Sequence, residues 1–391
     1  MKILHCCLAA FYIDGYGYQE NILPKMHKLQ GHDVKIIAST ETYVDNKKLG
    51  YVDPKNYLNE DGIPVSRIPY NNNLLLPSKI VRKLRLYKNL KEELIEFMPD
   101  VIFLHDTQFL SIKEIIIYVK ENPQVKIFSD CHTDYLNSAR TWLSKNILHK
   151  IIYRYCTYIV EPYTTQFYGT LPIRNLFLEK VYKIPKEKIS LLELGADDSS
   201  YDFSNKETIR KRVRKDLKIK NDEFVIITGG KLDRRKNIHL LMEAVSQLSG
   251  KKIKMIVFGI PNDEMENEIN KLAERENILF LGWLTPEKVY EYLFAADLAF
   301  FPGTHSVAWE QSVGVGLPAV FKKWENIQHV DVGGNCLFLN DINIDELKKI
   351  ILKIASNDEL YLKMKNVAMT KGVRQFTYSE IAKRAISIRK D

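Results

Sequence analysis

Long apolar runs are missing from this chain. No stretch approaches the roughly 20 apolar residues that a membrane-spanning helix needs. Cysteine is scarce and odd in number (Cys6, Cys7, Cys131, Cys156 and Cys336). No C-x-x-C pair occurs, which argues against a disulfide framework or a cysteine zinc site and fits reduced thiols in a cytoplasmic chain. Short repeats and low-complexity tracts are also lacking, which excludes solenoids and long disordered linkers. The opening residues 1–15, MKILHCCLAAFYIDG, have no basic leader and no cleavage site, and read as a first strand and not as a signal peptide. No Walker-type loop is found, and no D-x-D stands out in a loop suited to a metal.

What is present points to two α/β domains. A length of 391 residues exceeds one ordinary core. The composition, 45% hydrophobic and 27% charged, is that of a globular protein, and the net charge of +8 suits anionic small molecules, nucleic acid or an anionic membrane surface without choosing among them. Residues 2–10 read as a strand, followed by a loop with Gly15 and Gly17, a helix over 19–29 and a strand over 34–38. That is the opening of a doubly wound sheet. The glycines do not complete G-x-G-x-x-G, because the third would fall on Glu20.

A polar stretch at 71–73 precedes 79–97, read as one helix whose first half carries Lys79, Arg82, Lys83, Arg85, Lys88 and Lys91 and no acid. Such a helix either lies on anionic lipid or packs on the core with a solvated basic face. Strands are expected at 101–105 and 125–129, the second leading into Asp130-Cys131-His132. A second basic, aromatic helix is expected over 139–155, with Trp142, Lys145, His149, Lys150, Tyr153 and Arg154. Then follow a strand at 158–160, a helix at 164–171, a strand at 189–192 and a hinge at 195–200.

The second half alternates more plainly. Strands read at 224–228, 253–258, 278–281, 298–301, 319–321 and 336–339, with helices between them, and this spacing means a parallel sheet covered on both faces. The stretch everything else answers to is 224–237, FVIITGGKLDRRKN. An apolar strand ends at Gly229-Gly230, Lys231, Arg234, Arg235 and Lys236 follow, and Asn237 opens a helix over 238–248. Free N–H groups at a helix N-terminus and nearby cations favour an anion such as a diphosphate. A solvated basic turn is the alternative. A final helix is expected over 377–390.

GGKLDRRKN, ADLAFFP at 296–302, VGLP at 315–318, GGNCLFL at 333–339, ELGAD at 193–197, LQGHDV near residue 30 and the strand-end His132 occur in an order that resembles family 4 of the glycosyltransferases. The resemblance implies the GT-B architecture: two Rossmann-like, doubly wound parallel-sheet domains facing across a cleft. It divides the chain into an acceptor domain at 1–200, a nucleotide-sugar domain at 201–372, and a C-terminal helix at 373–391 that crosses back to the first domain.

Carried over by position, the resemblance puts Lys231 and Lys236 on the donor diphosphate, with Gly230 and Arg235 beside them. His132 contacts the transferred sugar, in keeping with its place at a strand's carboxyl end, where open α/β sheets bind ligands. Gly15 and Gly17 match a glycine loop that approaches the donor phosphates or the acceptor, here Gly-Tyr-Gly instead of adjacent glycines. The family's pair of glutamates is altered. Anchored on VGLP, the first falls on Gly303 and the second on Gln311, with Glu310 one place earlier. Glu310 is assigned the ribose hydroxyls, the alternative being an acid at a helix start. His305, Ser306 and Val307 are assigned to the donor pocket.

The implied activity is retaining transfer of a hexosyl or N-acetylhexosaminyl group from a nucleotide diphosphate sugar, a UDP conjugate ahead of a GDP conjugate, to an acceptor hydroxyl. Side chains stand in for metal, so no metal or other cofactor is expected. The two basic helices suggest a saccharide acceptor, lipid-linked, at the inner face of the cell membrane, in bacterial surface polysaccharide or glycolipid synthesis. Two rivals are a nucleotide-sugar epimerase on the same fold and a catalytically silent, nucleotide-binding scaffold subunit. Nucleic acid is not expected as a partner, since no recognition module accompanies the basic residues.

Overall fold

Short apolar runs such as Val101–His105 and Leu298–Phe301 are buried along their whole length and become central strands of two parallel sheets. A strand covered on both faces has no use for polar alternation, which is why these runs are continuous. The computed structural model describes residues 1–44, 48–72, 75–135 and 138–387. Residue 73 of the expected polar stretch and residues 388–390 of the expected final helix lie outside the described residues. The chain divides into two units: Met1–Glu193 together with the segment from Ile381, and Leu194–Glu380.

In the first unit the strands are β1 (Lys2–Cys7), β2 (Asp33–Ser39), β3 (Glu41–Val44), β4 (Lys48–Tyr51), β5 (Lys55–Leu58), β6 (Pro64–Ile68), β7 (Val101–His105), β8 (Lys126–Cys131), β9 (Thr164–Gly169) and β10 (Ile189–Leu191). Eight of them form one sheet in the order β10-β9-β8-β7-β1-β2-β6-β5. Its pairs are parallel except β5 on β6, and β3 and β4 form a separate antiparallel pair. In the second unit the strands are β11 (Phe224–Leu232), β12 (Ile253–Pro261), β13 (Ile278–Phe280), β14 (Leu298–Phe301), β15 (Ala319–Lys322) and β16 (Cys336–Leu339). They form a parallel sheet in the order β13-β12-β11-β14-β15-β16. In both sheets chain order reverses at the centre, at β1 and at β11, and loops at the carboxyl ends of such strands are where open α/β sheets take ligands. Apolar clusters lie on either face of the second sheet, one holding Ile226, Met255 and Leu298, the other Ile227, Ile256 and Ala299.

Several expectations need correcting. The single helix read over 79–97 is two, Ser78–Leu84 and Leu90–Phe97, interrupted where Arg85 and Asn89 take left-handed backbone. Within the break Arg85 donates to the Gln108 carbonyl, and Arg82 stacks 3.9 Å above the Tyr51 ring, so this face is not a free basic stripe. The strand read at 158–160 is the last turn of helix Arg154–Val160, which continues a wide-wound helix, Ser144–Tyr153. The helix read at 164–171 is the strand β9, which pairs with β8 and β10. Pro162 lies between the two elements, in a short turn, Glu161–Tyr163. Finally, Gly229 and Gly230 do not end their strand: β11 runs on to Leu232, with Gly230 paired to Gly259.

All five cysteines are buried free thiols. No described helix is long and apolar enough to cross a membrane.

Candidate functional site

The end of β11 is built around close backbone approach. Gly259 has a φ of +124°, and a Cβ there would sit 1.8 Å from the Gly230 carbonyl oxygen, so only glycine lets the two strands meet at this point. Beside them opens a cavity of about 450 Å³ lined by Gly230, Lys231, Gly259, Ile260, Trp283 and Leu284. Lys231 is exposed and makes no ion pair among the described residues. The other cations of the turn are occupied. Arg234 pairs with Glu264 and Glu268, and Arg235, 72% exposed, pairs with Asp233. The Lys236 ammonium donates to the carbonyls of Thr304 and His305, at 2.7 and 3.0 Å. Of the four, Lys231 is the one whose charge is not met by another group among the described residues.

A loop over 302–307 is strapped to the turn that contains Lys236. Asn237, itself at a φ of +53°, donates through Nδ2 to the Pro302 carbonyl, and Trp324 Nε1 donates to that of Gly303. A side chain at Gly303 would reach the Lys236 backbone within 2.3 Å. This is a steric reason for glycine where the family resemblance would put a glutamate.

Beyond the loop, Glu310 lies in the first turn of helix Ala308–Gly314 and is fully buried. Its Oε1 accepts from His305 Nε2 at 2.7 Å and His329 Nε2 at 2.8 Å. Burial pushes its carboxyl up, but the two histidines more than offset this and hold it at about 2. Val307 is exposed, Ser306 is half-buried and accepts the Trp309 backbone N–H, and Gln311 donates weakly to the Tyr290 hydroxyl at 3.5 Å.

The three ligand-type atoms of His305, Glu310 and His329 lie within 4.8 Å of one another. Their chemistry suits a hydrogen-bonded cap better than a cation. Freeing His329 Nε2 for a metal puts the ring proton on Nδ1, which is buried with no partner.

In the first unit, His132 follows the carboxyl end of β8, and its imidazole is 24% exposed. Its Nε2 lies 3.3 Å from Asp130 Oδ2 and 3.9 Å from Glu20 Oε1. Burial pulls His132 down, but Asp130 and Glu20 raise it to about 9. Gly15 takes left-handed backbone, and its N–H donates to Glu60 Oε1 at 2.9 Å, so that amide already has an acceptor; Gly17 follows it toward helix Gln19–Leu29.

The family resemblance assigned Lys236, His305 and Glu310 to the donor, and hydrogen bonds link the three: Lys236 Nζ donates to the His305 carbonyl, and His305 Nε2 lies 2.7 Å from Glu310 Oε1. Sequence reasoning missed Trp283 and Ile260 in the cavity wall, His329 on Glu310, and Asp130 and Glu20 beside His132. Trp283 had a readable signal, since it directly follows a strand end and a glycine. His329 had none.

Residues 209–371 match the family model described as Glycosyl transferases group 1. Over 220 residues, 54% of this chain, the sequence is 20% identical to an uncharacterized glycosyltransferase of Methanocaldococcus jannaschii. Over 116 residues, 29% of this chain, it is 27% identical to a lipopolysaccharide core biosynthesis glycosyltransferase of Rhizobium meliloti. These matches span 56% and 33% of the two relatives' own lengths.

Among solved structures, a glycosyltransferase from Rickettsia africae superposes with a TM-score of 0.66 at 14% identity, over 98% of this chain and 96% of that one. An Anabaena protein in complex with UDP gives 0.64 at 15% identity, over 98% of each chain. A UDP-GlcNAc 2-epimerase from Neisseria meningitidis gives 0.59 at 13%, over 99% of each. At these identities the likeness establishes the fold, which is of the GT-B type. The Lys231 cavity and the Glu310 trio both lie inside the stretch 209–371 that matches the group 1 glycosyl transferase model.

Proposed function

We propose that the protein transfers a sugar from a nucleotide diphosphate sugar to an acceptor hydroxyl. The observation that carries this reading is Lys231, an exposed cation with no ion-pair partner among the described residues, lining a glycine-walled cavity at the end of β11 inside the matched stretch. An ammonium there meets the diphosphate and stabilises the charge that develops as the glycosidic bond breaks. Trp283, 61% exposed at the same cavity, offers a flat apolar face to a base. Binding of UDP by the Anabaena neighbour supports a uridine nucleotide as donor.

Lys236 positions the 302–307 loop and neutralises phosphate from behind it. The ribose goes to the Glu310 trio, in which His305 is the least buried member. His132 donates to the transferred sugar. With retention, the acceptor hydroxyl attacks from the side of the leaving group. A β-phosphate oxygen takes its proton while the bond from the anomeric carbon to the phosphate oxygen breaks. No metal is assigned a part.

A membrane-borne acceptor is favoured by one surface. On helix Ser144–Tyr153 and its continuation, Ile151, Tyr155 and Tyr158 are exposed alongside Lys145, Lys150 and Arg154, and Trp142, 72% exposed, precedes it. Aromatic and basic side chains mixed in this way suit an anionic lipid surface. A lipid-linked saccharide at such a surface, in bacterial polysaccharide or glycolipid synthesis, is the acceptor class we assign.

The test is an incubation of the purified chain with labelled UDP-sugars, with and without a lipid-linked saccharide extract. Transfer of label to the lipid fraction, dependent on extract, is expected. Conversion of the donor's sugar without any acceptor would mean an epimerase. Nucleotide binding without either reaction would mean a scaffold subunit.

A further inference from the structure

Four buried contacts, three between side chains and one to a backbone carbonyl, join residues that no sequence motif connects. His27 Nε2 lies 2.9 Å from the Ala382 carbonyl oxygen, in the helix Tyr378–Ala385. His27 Nδ1 lies 3.0 Å from His5 Nε2, His5 Nδ1 lies 3.0 Å from His105 Nε2, and His105 Nδ1 lies 3.0 Å from Asp130 Oδ2. The three imidazoles and the carboxylate are 0–1% exposed. His132 Nε2 lies 3.3 Å from the same Asp130 oxygen.

The protons in this row can be counted. A carbonyl only accepts, so His27 donates through Nε2, and a neutral His27 then accepts at Nδ1. His5 must therefore donate through Nε2 and accept at Nδ1, and His105 must donate through Nε2. Three neutral imidazoles have now used their three protons, and all of them point away from Asp130. The fourth contact needs one proton more, held between His105 and Asp130, so that this pair together carries no net charge. Burial supports neutral inner rings: it pulls His27 down to about 4, and His5 well below its ordinary value. Both ring nitrogens of His105 are engaged, so it has no lone pair left for another ligand.

We propose that His105, polarised through His5 and His27 by the Ala382 carbonyl, takes up the charge of Asp130 and so tempers the proton affinity of His132, leaving Glu20 as the carboxylate that compensates a cationic His132. His5, His27 and His105 are positioning residues that act through Asp130. Other groups near His132 include Asp106, whose carboxylate accepts the His132 backbone N–H at 3.4 Å, and Arg174, which disfavours a second cation and is itself paired with Asp134. The neighbouring Cys7 and Cys131 thiols are pushed up by burial and stay neutral. The consequence for transfer, a sugar contact able to change charge, rests on the reading of His132 above. The charge partition itself needs no ligand.

The experiment is a histidine ring NMR titration of the full chain without nucleotide or acceptor, with His132 assigned by His132→Gln. His27→Phe removes the anchor, lets the row reverse and returns a full charge to Asp130, so the His132 midpoint should rise by about one pH unit. His27→Gln keeps the polarity, since its amide donates to Ala382 and its carbonyl accepts from His5, and should leave the midpoint where it was. Glu20→Gln should lower it. An unchanged midpoint in His27→Phe or Glu20→Gln, or the same rise in His27→Gln, overturns the proposal. Should His27→Phe not fold, the unaltered protein still decides: His5 and His27 must show the Nε2–H tautomer, and an Nδ1–H tautomer at His5 refutes the polarity. A failure to bind or transfer sugar leaves these titrations untouched, so the two readings fail separately.

Discussion

Glu310 shows how much of a site can rest on one carboxylate. It has no solvent exposure, two imidazoles on one oxygen and no hydrogen-bond partner on the other among the described residues. Its folded value of about 2, against 4.5 for the free side chain, means that it stabilises the fold above pH 4.5 and loses that contribution as pH falls toward about 2. In denaturant titrations the unaltered protein should lose stability across that window more steeply than Glu310→Gln does. At neutral pH Glu310→Gln should already be less stable, by about 3 kcal/mol, the usual cost of breaking a buried pair from one side. Equal acid slopes would mean that the carboxylate does not ionise in place. The same scale explains what the sequence withheld. Lys231 and Glu310 sit in local motifs and were legible. His5, His27 and His105 are each unremarkable in sequence and are brought together only by two parallel strands and a helix.

At the scale of elements, legibility followed burial. The second sheet's strands are covered on both faces, so their continuous apolar runs were readable and several bounds coincide with the structure, as at Leu298–Phe301 and Cys336–Leu339. Residues 158–171 went the other way. Tyr158-Ile159-Val160 carries strand formers but closes a helix, while Thr164-Thr165-Gln166 reads as polar and mixed yet joins the sheet between β8 and β10. Tertiary pairing overrode local preference there. Gly229 and Gly230 were read as the end of the strand, but here glycine admits the close pairing of β11 with β12.

The helix Ser144–Val160 also moves the membrane expectation away from Arg82 and Arg85, which are engaged within the first unit. Lys145→Ala and Lys150→Ala should each weaken partitioning onto anionic vesicles about fivefold, about 1 kcal/mol per basic residue. Arg82→Ala should matter less. Unchanged partitioning in the two lysine variants would remove the surface from the account.

At the scale of the whole molecule, two parallel-sheet units follow from the alternation of strands and helices, and the likeness to solved structures secures the fold. That fold carries both glycosyltransferases and an epimerase among its neighbours, so activity has to be argued from the site. The central claim is that a nucleoside diphosphate sits in the second unit with its phosphates on Lys231. Calorimetric titration of UDP into the unaltered chain and into Lys231→Ala tests it most directly. The account predicts measurable UDP binding that weakens about tenfold or more in the variant, the loss expected for a hydrogen bond to a charged group, with little change for uridine. No binding of UDP, GDP or ADP, or equal UDP affinity in both proteins, would contradict it.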